Sequence, residues 1–187
     1  MLIILEGGLG TGKTIMMLRY LLRDYNNKHD IYANFGIKNI KYNKIDISEL
    51  LEYEKENIDF TNATIGIDEI TVFVDCRTSI SRSNRIFSYF ILQSRKRNVN
   101  VYCTTQSCSM LDKRLLQHAH IIIMCDFAYK TFVNDNDEIE TIRLKNWRKY
   151  TIIDFRQPRK IKKTSFIMDI SKYYDFYDTN EIIKPLL

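Results

Sequence analysis

The chain is short of the residues that interrupt or tether a fold. Two prolines and six glycines among 187 residues leave little room for flexible linkers, so disorder is expected only near the ends. Its four cysteines, Cys76, Cys103, Cys108 and Cys125, form no C-x-x-C pair and have no histidine at zinc-finger spacing. That argues against a structural metal site and for reduced, mostly buried thiols. No apolar run approaches the ~20 residues that a membrane-spanning helix needs. The N-terminal MLIIL has no basic n-region and runs straight into Glu6, so it does not read as a signal peptide, and a cytoplasmic setting is expected. What is present is ordinary for a globular protein: 45% hydrophobic and 27% charged residues, in a length suited to one well-buried core. A single domain over residues 1–187 is expected. The net charge of +5 permits a polyanionic partner without requiring one.

The scarce glycines are concentrated. Four of the six lie between positions 7 and 12, in the stretch EGGLGTGKT at residues 6–14. Gly7 to Thr14 fits G-x-x-x-x-G-K-[ST] at every fixed position, directly after an apolar strand pattern and before a helical one, which is the context the phosphate-binding loop requires. Glycines let consecutive backbone N–H groups turn inward around an anion, and the helix N-terminus adds its positive dipole end. Gly8, Gly10, Thr11, Gly12, Lys13 and Thr14 are therefore the expected nucleotide-binding set. Lys13 would reach the β- and γ-phosphates and Thr14 would ligate magnesium, making ATP and Mg2+ the expected nucleotide and metal.

Holding a nucleotide is not hydrolysing it. ATIGIDEI at residues 63–70 is a buried strand pattern that surfaces in two carboxylates. Asp68 suits the shell of a magnesium ion, and Glu69 is placed to orient or deprotonate an attacking water. A third polar strand end, VYCTTQ at residues 101–106, offers Gln106 as a group that senses the γ-phosphate and the lytic water.

Short apolar strand patterns alternate with helical ones along residues 1–125, including the stripe Ile86, Phe87, Phe90 and Ile91 within 83–97. This predicts an α/β fold with a mainly parallel central sheet flanked by helices. A short acidic helix is expected over Ser48–Lys55 and a helix over 111–117. Beyond residue 126 the texture changes. NDNDE lies between β-prone segments within 127–145 and predicts a hairpin, YTIIDF predicts a further strand, and the tail from Lys160 reads as polar, tyrosine-rich and packed around the sheet. His118 and His120 read as structural or interfacial, and Trp147 and the tail tyrosines as packing.

The order GGLGTGKT, IGIDE, then a helix leading into SRKRNVNVYCTTQS, resembles the FtsK/HerA superfamily of DNA-pumping P-loop ATPases. Within it the chain looks like the viral branch: genome-packaging ATPases of archaeal and membrane-containing viruses and the Zot-like assembly proteins of filamentous phages. IYANF at 31–35 and YYDFYDTNE at 173–181 also look like Zot-type sequence. The resemblance implies a RecA/FtsK-like P-loop NTPase fold and a homo-oligomeric ring, a hexamer or pentamer, in the host cytoplasm, with a capsid or membrane protein as docking partner. It also implies an arginine acting on a neighbouring subunit's nucleotide. Eleven residues before Gln106 that position is Arg95, with Arg97, Arg85, Arg82 and Arg77 as alternatives. Related pumps carry a glycine three residues after this arginine, where this chain has Asn98, a residue that tolerates the left-handed region better than most.

Charge clustering, beside a motor-type ATPase core, supports DNA partly apart from the resemblance. Residues 77–110 contain six basic residues and no acid, and residues 143–163 contain nine basic residues against Asp154 alone. Such patches neutralise phosphates without reading bases. The leading expectation is an ATP-driven translocase of double-stranded DNA that packages a viral genome. A Zot-like extrusion ATPase is the second reading; proteins of that type generally carry a transmembrane segment after the ATPase domain. A small P-loop kinase acting on a nucleotide or metabolite is the third.

Overall fold

The computed structural model describes residues 1–46, 49–50, 58–72, 74 and 82–177. Most of the acidic segment Ser48–Lys55, Cys76, Arg77, the end of YYDFYDTNE and the side chain of Arg82 lie outside the described residues.

The first unit is β1 (Leu2–Glu6), the glycine loop and helix α1 (Lys13–Asn26). Strands β2 (Asp30–Ala33), β3 (Asn43–Lys44) and β4 (Ala63–Ile67) follow. Helix α2 (Arg82–Ser94) ends in a single 3-10 turn over Arg95–Arg97. Then come β5 (Asn100–Thr105) and the short helix α3 (Lys113–Gln117). The chain finishes with long antiparallel strands, β6 (Ile121–Val133), β7 (Ile139–Asp154) and β8 (Lys162–Asp169), and a 3-10 segment over Ser171–Phe176.

All eight strands form one sheet in the order β3-β2-β4-β5-β1-β6-β7-β8. The strands from β3 to β6 run parallel, and β7 and β8 add antiparallel partners at one edge. Parallel strands buried on both faces lose the apolar-polar alternation, and β1 illustrates it. Leu2 and Ile4 join one core with Ile65, Val101, Phe87 and Phe90, under α2. Ile3 and Leu5 join the other, with Met17, Leu18 and Leu21 of α1. The stripe expected on the second helix is realised in buried Phe87, Phe90 and Ile91.

The tail departs from expectation. The stretch after Lys160 does not simply wrap the sheet: Lys162–Asp169 pairs with β7 from Trp147 to Asp154 and extends it. It opens with the continuous polar, exposed run Lys162–Ser165 on an edge strand, which reads from sequence as irregular surface chain. The hairpin is present, with its turn in 134–138, but β6 runs unbroken through residue 125, where the core was expected to end.

At the N-terminal ends of the parallel strands, Asp24 of α1 is 3% exposed and collects donors. Its Oδ2 accepts from the Tyr102 hydroxyl at 2.5 Å, Asn100 Nδ2 at 2.8 Å and Thr64 Oγ1 at 3.0 Å, while its Oδ1 accepts from Arg23 at 2.8 Å. Burial pushes the carboxyl up, but the Tyr102, Arg23 and Asn100 donors outweigh it and leave its pKa below the ordinary value. A depressed folded pKa stabilises above the unfolded value, near ~3.9, and that contribution is lost as pH falls through the folded one. Asp24→Asn is therefore expected to lose about 2–4 kcal/mol in urea denaturation at neutral pH. The gap to wild type should close only on acidification below the usual carboxylate range.

Candidate functional site

β4, β5 and β1 are neighbours in the sheet, so the segments leaving their C-terminal ends meet. The loop after β1 needs its glycines at particular points. At Gly7 a Cβ would run into the Cys125 carbonyl on β6. At Gly12, φ is +84° and a Cβ would lie 2.7 Å from the Tyr150 hydroxyl and 3.1 Å from Arg148 Cγ. Gly12→Ala is expected to cost about 1–3 kcal/mol of stability, read as a lowered urea midpoint, and to shift the loop against Tyr150.

Lys13 Nζ donates to the carbonyls of Gly7 at 2.9 Å and Gly8 at 3.0 Å, arching over the loop with a third N–H to spare. Thr11 is 4% exposed and ties its hydroxyl to Gly8 O at 2.8 Å, so it shapes the loop from within. Thr14 Oγ1 donates to Asp68 Oδ1 at 2.9 Å across the gap between α1 and the end of β4. This brings together two motifs separated by 54 residues.

Two residues outside the sequence-based set fix that carboxylate. Thr104, near the end of β5, donates to Asp68 Oδ1 at 2.5 Å and accepts the Glu69 N–H at 2.8 Å. Asn34, just past β2, brackets the Asp68 backbone, accepting its N–H at 2.7 Å and donating to its carbonyl at 3.0 Å. Glu69 adopts φ +53°, a left-handed turn that swings it off the strand line, and its Oε1 accepts from the Thr71 hydroxyl at 2.9 Å. Burial raises the Asp68 pKa, opposed by the Thr104 and Thr14 hydroxyls and by Lys13. A nearby cation would relieve that burial cost. The paired donors are a hydroxyl and a carboxylate, both hard oxygen ligands, and fit Mg2+.

These groups wall a cavity of about 690 Å3. Leu9, Gly10, Gly12, Lys13 and Thr14 form one side, with Asp68 and Glu69 beside them. The rest of the lining was not foreseen: Arg148 of β7, Lys38, and Ile170, Tyr174 and Tyr177 of the C-terminal segment. Tyr174 and Tyr177, read from sequence as packing, are thus cavity-lining side chains. Gly8 and Thr11 belong to the loop but not to the cavity wall.

Gln106 leaves the same sheet edge, exposed and outside the cavity wall. Arg95 is exposed in the 3-10 turn before β5, at the opposite end of that strand from the phosphate loop. The six-residue strand separates them by roughly 20 Å, so Arg95 does not reach its own chain's cavity. Asn98 does adopt the left-handed turn, with φ 55° and ψ 44°. Arg85 is exposed on α2 and Arg97 lies half-buried beside Arg95. His120 is structural, its Nδ1 accepting the Leu2 N–H at 3.1 Å. Cys103, Cys108 and Cys125 are free thiols, and burial pushes Cys125 up to about 12. Among the described residues no three metal-ligating side chains cluster, and no helix is long and apolar enough to cross a membrane.

No protein-family model matches the sequence, and no curated protein matches it. Solved structures do. The N-terminal domain of zonular occludens toxin from Neisseria meningitidis superimposes with a TM-score of 0.62 at 16% identity, over 95% of this chain and 98% of that one. The genome-packaging NTPase B204 of Sulfolobus turreted icosahedral virus 2, solved with ATPγS, gives 0.57 at 13% identity over 87% and 95%. The flagellar accessory protein FlaH of Methanocaldococcus jannaschii gives 0.51 at 13% identity over 90% and 84%. The fold is that of the P-loop NTPases, a mainly parallel sheet flanked by helices, in the form shared by the packaging and zonular-occludens-toxin proteins that the motifs resemble.

Proposed function

We propose that the chain is an ATP-hydrolysing motor that moves double-stranded DNA, working as a ring and packaging a viral genome. The observation that carries the hydrolytic part is the convergence of Lys13, Thr14, Asp68 and Glu69 on one cavity. The glycine loop and Lys13 hold the phosphates of ATP by backbone N–H groups and an ammonium. Thr14 and Asp68 would hold Mg2+, which when bound offsets charge on the β- and γ-phosphate oxygens. Glu69 orients a water for attack on the γ-phosphorus and accepts its proton. Thr104 ties the Asp68 carboxylate to the Glu69 backbone, since one hydroxyl bonds both, while Thr71 holds the Glu69 carboxylate. Gln106, at the same edge, is the group proposed to report phosphate release to the surface.

The DNA part is supported by where the basic residues collect. β5 begins, and the turn from β7 to β8 lies, at the end of the sheet opposite the cavity. Arg95–Arg97 from the first basic cluster and the 156–163 part of the second therefore lie at that end. Arg95 and Arg156 both bear electrostatically on His120, and Lys96, Arg159, Lys160, Lys162 and Lys163 are exposed around them. Arg156 is paired with Asp154 through Nε and Nη2, the shorter contact at 2.6 Å, and the exposed lysines are the proposed phosphate contacts. The B204 likeness agrees with packaging. The toxin domain matches over nearly its whole length, which favours phage extrusion as the second reading of the same motor.

The test is ATP turnover with and without duplex DNA. Stimulation that falls steeply with salt, and is lost when Arg159, Lys160 and Lys162 are changed to glutamate, is expected. Turnover indifferent to DNA in both proteins would remove the DNA reading. For the arginine acting in trans, mixing Arg95→Ala with Lys13→Ala, each inactive alone, should restore activity, because one supplies an intact cavity and the other an intact arginine.

A further inference from the structure

We propose that Arg148 is a phosphate ligand for the nucleotide supplied in cis by β7, so that the antiparallel part of the sheet grips the nucleotide directly. This rests on the reading of the cavity as a nucleotide-phosphate site. Arg148 is 7% exposed. Its Nε donates to Gly10 O at 2.9 Å, and Nη1 donates to Lys145 O and Trp147 O, each at 2.9 Å. All three acceptors are neutral carbonyls. Its guanidinium carbon also lies 5.1 Å from the centre of the Phe127 ring. Among the described residues no carboxylate pairs with it. The acids on the cavity wall are held elsewhere, Asp68 by Thr14 and Thr104 and Glu69 by Thr71.

A guanidinium removed from water without a counter-ion is costly, and buried charges in stable proteins are paired or meet a ligand. Carbonyl dipoles offset part of that cost and leave the charge itself uncompensated. Five N–H donors form the guanidinium fork, and those on Nη2 are not used by these bonds. The cavity that Arg148 lines is shared with Lys13 and the glycine loop, so the anion that reaches it is a phosphate, whose oxygens match the planar fork.

The contact is built rather than incidental. Phe127 of β6 packs 3.7 Å from the position of a Gly10 Cβ, Arg148 bonds Gly10 O, and the Tyr150 hydroxyl donates to Gly12 O at 3.2 Å. Three side chains from β6 and β7 thus hold the phosphate loop at two of its glycines. An arginine on this strand needs no neighbouring subunit, which separates it from the arginine sought in residues 77–97. Nucleotide affinity should therefore be independent of protein concentration even where turnover is not.

The experiment is equilibrium binding of ADP and the non-hydrolysable analogue AMPPCP, with Mg2+, to wild type, Arg148→Gln, Arg148→Lys and Lys13→Ala. Folding is checked by circular dichroism. Arg148→Gln should raise Kd at least tenfold for both nucleotides and flatten the salt dependence of binding. Arg148→Lys, which keeps the charge but loses the planar fork, should fall between wild type and Arg148→Gln. In wild type the Arg148 guanidinium NMR signals should shift on adding ADP or inorganic pyrophosphate and not on adding adenosine, a readout that survives even if the glutamine variant does not fold. Wild-type affinity in a folded Arg148→Gln protein, or unmoved guanidinium signals in an ADP-bound wild type, overturns the proposal while a defective Lys13→Ala leaves the phosphate site standing. If wild type binds neither nucleotide, the phosphate-site reading fails and this proposal fails with it.

Discussion

Glu69→Gln should stop ATP turnover while leaving ATP bound. The left-handed turn at Glu69 and its backbone bond to Thr104 place the carboxylate beside Asp68 without making it part of the phosphate cradle. An amide of the same shape keeps the Thr71 hydrogen bond available and cannot take a proton from water. Losing a positioned general base costs roughly 100- to 10,000-fold in rate. The expected result is a fall of that size in phosphate release, with Kd for ATP within about threefold of wild type and ATP accumulating on the protein. Equal loss of binding and turnover would mean that Glu69 holds the loop rather than activates water.

Lys13→Ala has the complementary outcome, a loss that starts at binding. Nζ already spans the loop through Gly7 O and Gly8 O, so one ammonium both rigidifies the cradle and meets the phosphates. Charge-assisted hydrogen bonds of this kind are worth about 1.5–3 kcal/mol each, which converts to a ~10- to 100-fold rise in Kd. Turnover should fall below detection. Isothermal titration with ADP measures the first and phosphate release the second. Because Lys13 also secures the loop, its removal should lower the thermal midpoint slightly, whereas nucleotide should no longer raise it.

How much of this was legible before the structure varies by element. The glycine loop was readable because its requirement is local: no other residue type fits φ +84° at Gly12 beneath Tyr150. Asp68 and Glu69 were readable because their strand follows a complete phosphate-loop motif; two acids at a strand end are by themselves a weak signal, since they also serve solubility. Thr104 was half legible, since two threonines close β5, but which of them faces Asp68 depends on β5 lying between β4 and β1. Gln106, the residue the motif singled out, stands outside the cavity wall, and Thr104 makes the contacts. Asn34 was legible only as part of IYANF, whose likeness to Zot-type sequence gave it no role. Arg148, Tyr174 and Tyr177 were hidden for a topological reason: they reach the cavity only because β7 and β8 extend the sheet past β6, long after the motifs end. Arg148 was visible in sequence as one basic residue among nine, and nothing local distinguishes a buried guanidinium from a solvated one. The mislaid tail has the same origin, since a one-sided edge strand rich in Lys and Thr lacks the apolar run that marked β1 and β4.

The central claim is that this cavity transfers the γ-phosphoryl group of ATP to water, and it is tested most directly by hydrolysis in oxygen-18 water. Purified protein is incubated with ATP and Mg2+, with no other phosphoryl acceptor, and the released phosphate is analysed by mass spectrometry. The account predicts one labelled oxygen per phosphate released by the chain, at a rate that Glu69→Gln abolishes. Absence of labelled phosphate from a protein that binds ATP, together with phosphoryl transfer once a nucleotide or metabolite acceptor is supplied, would contradict it and identify the chain as a kinase.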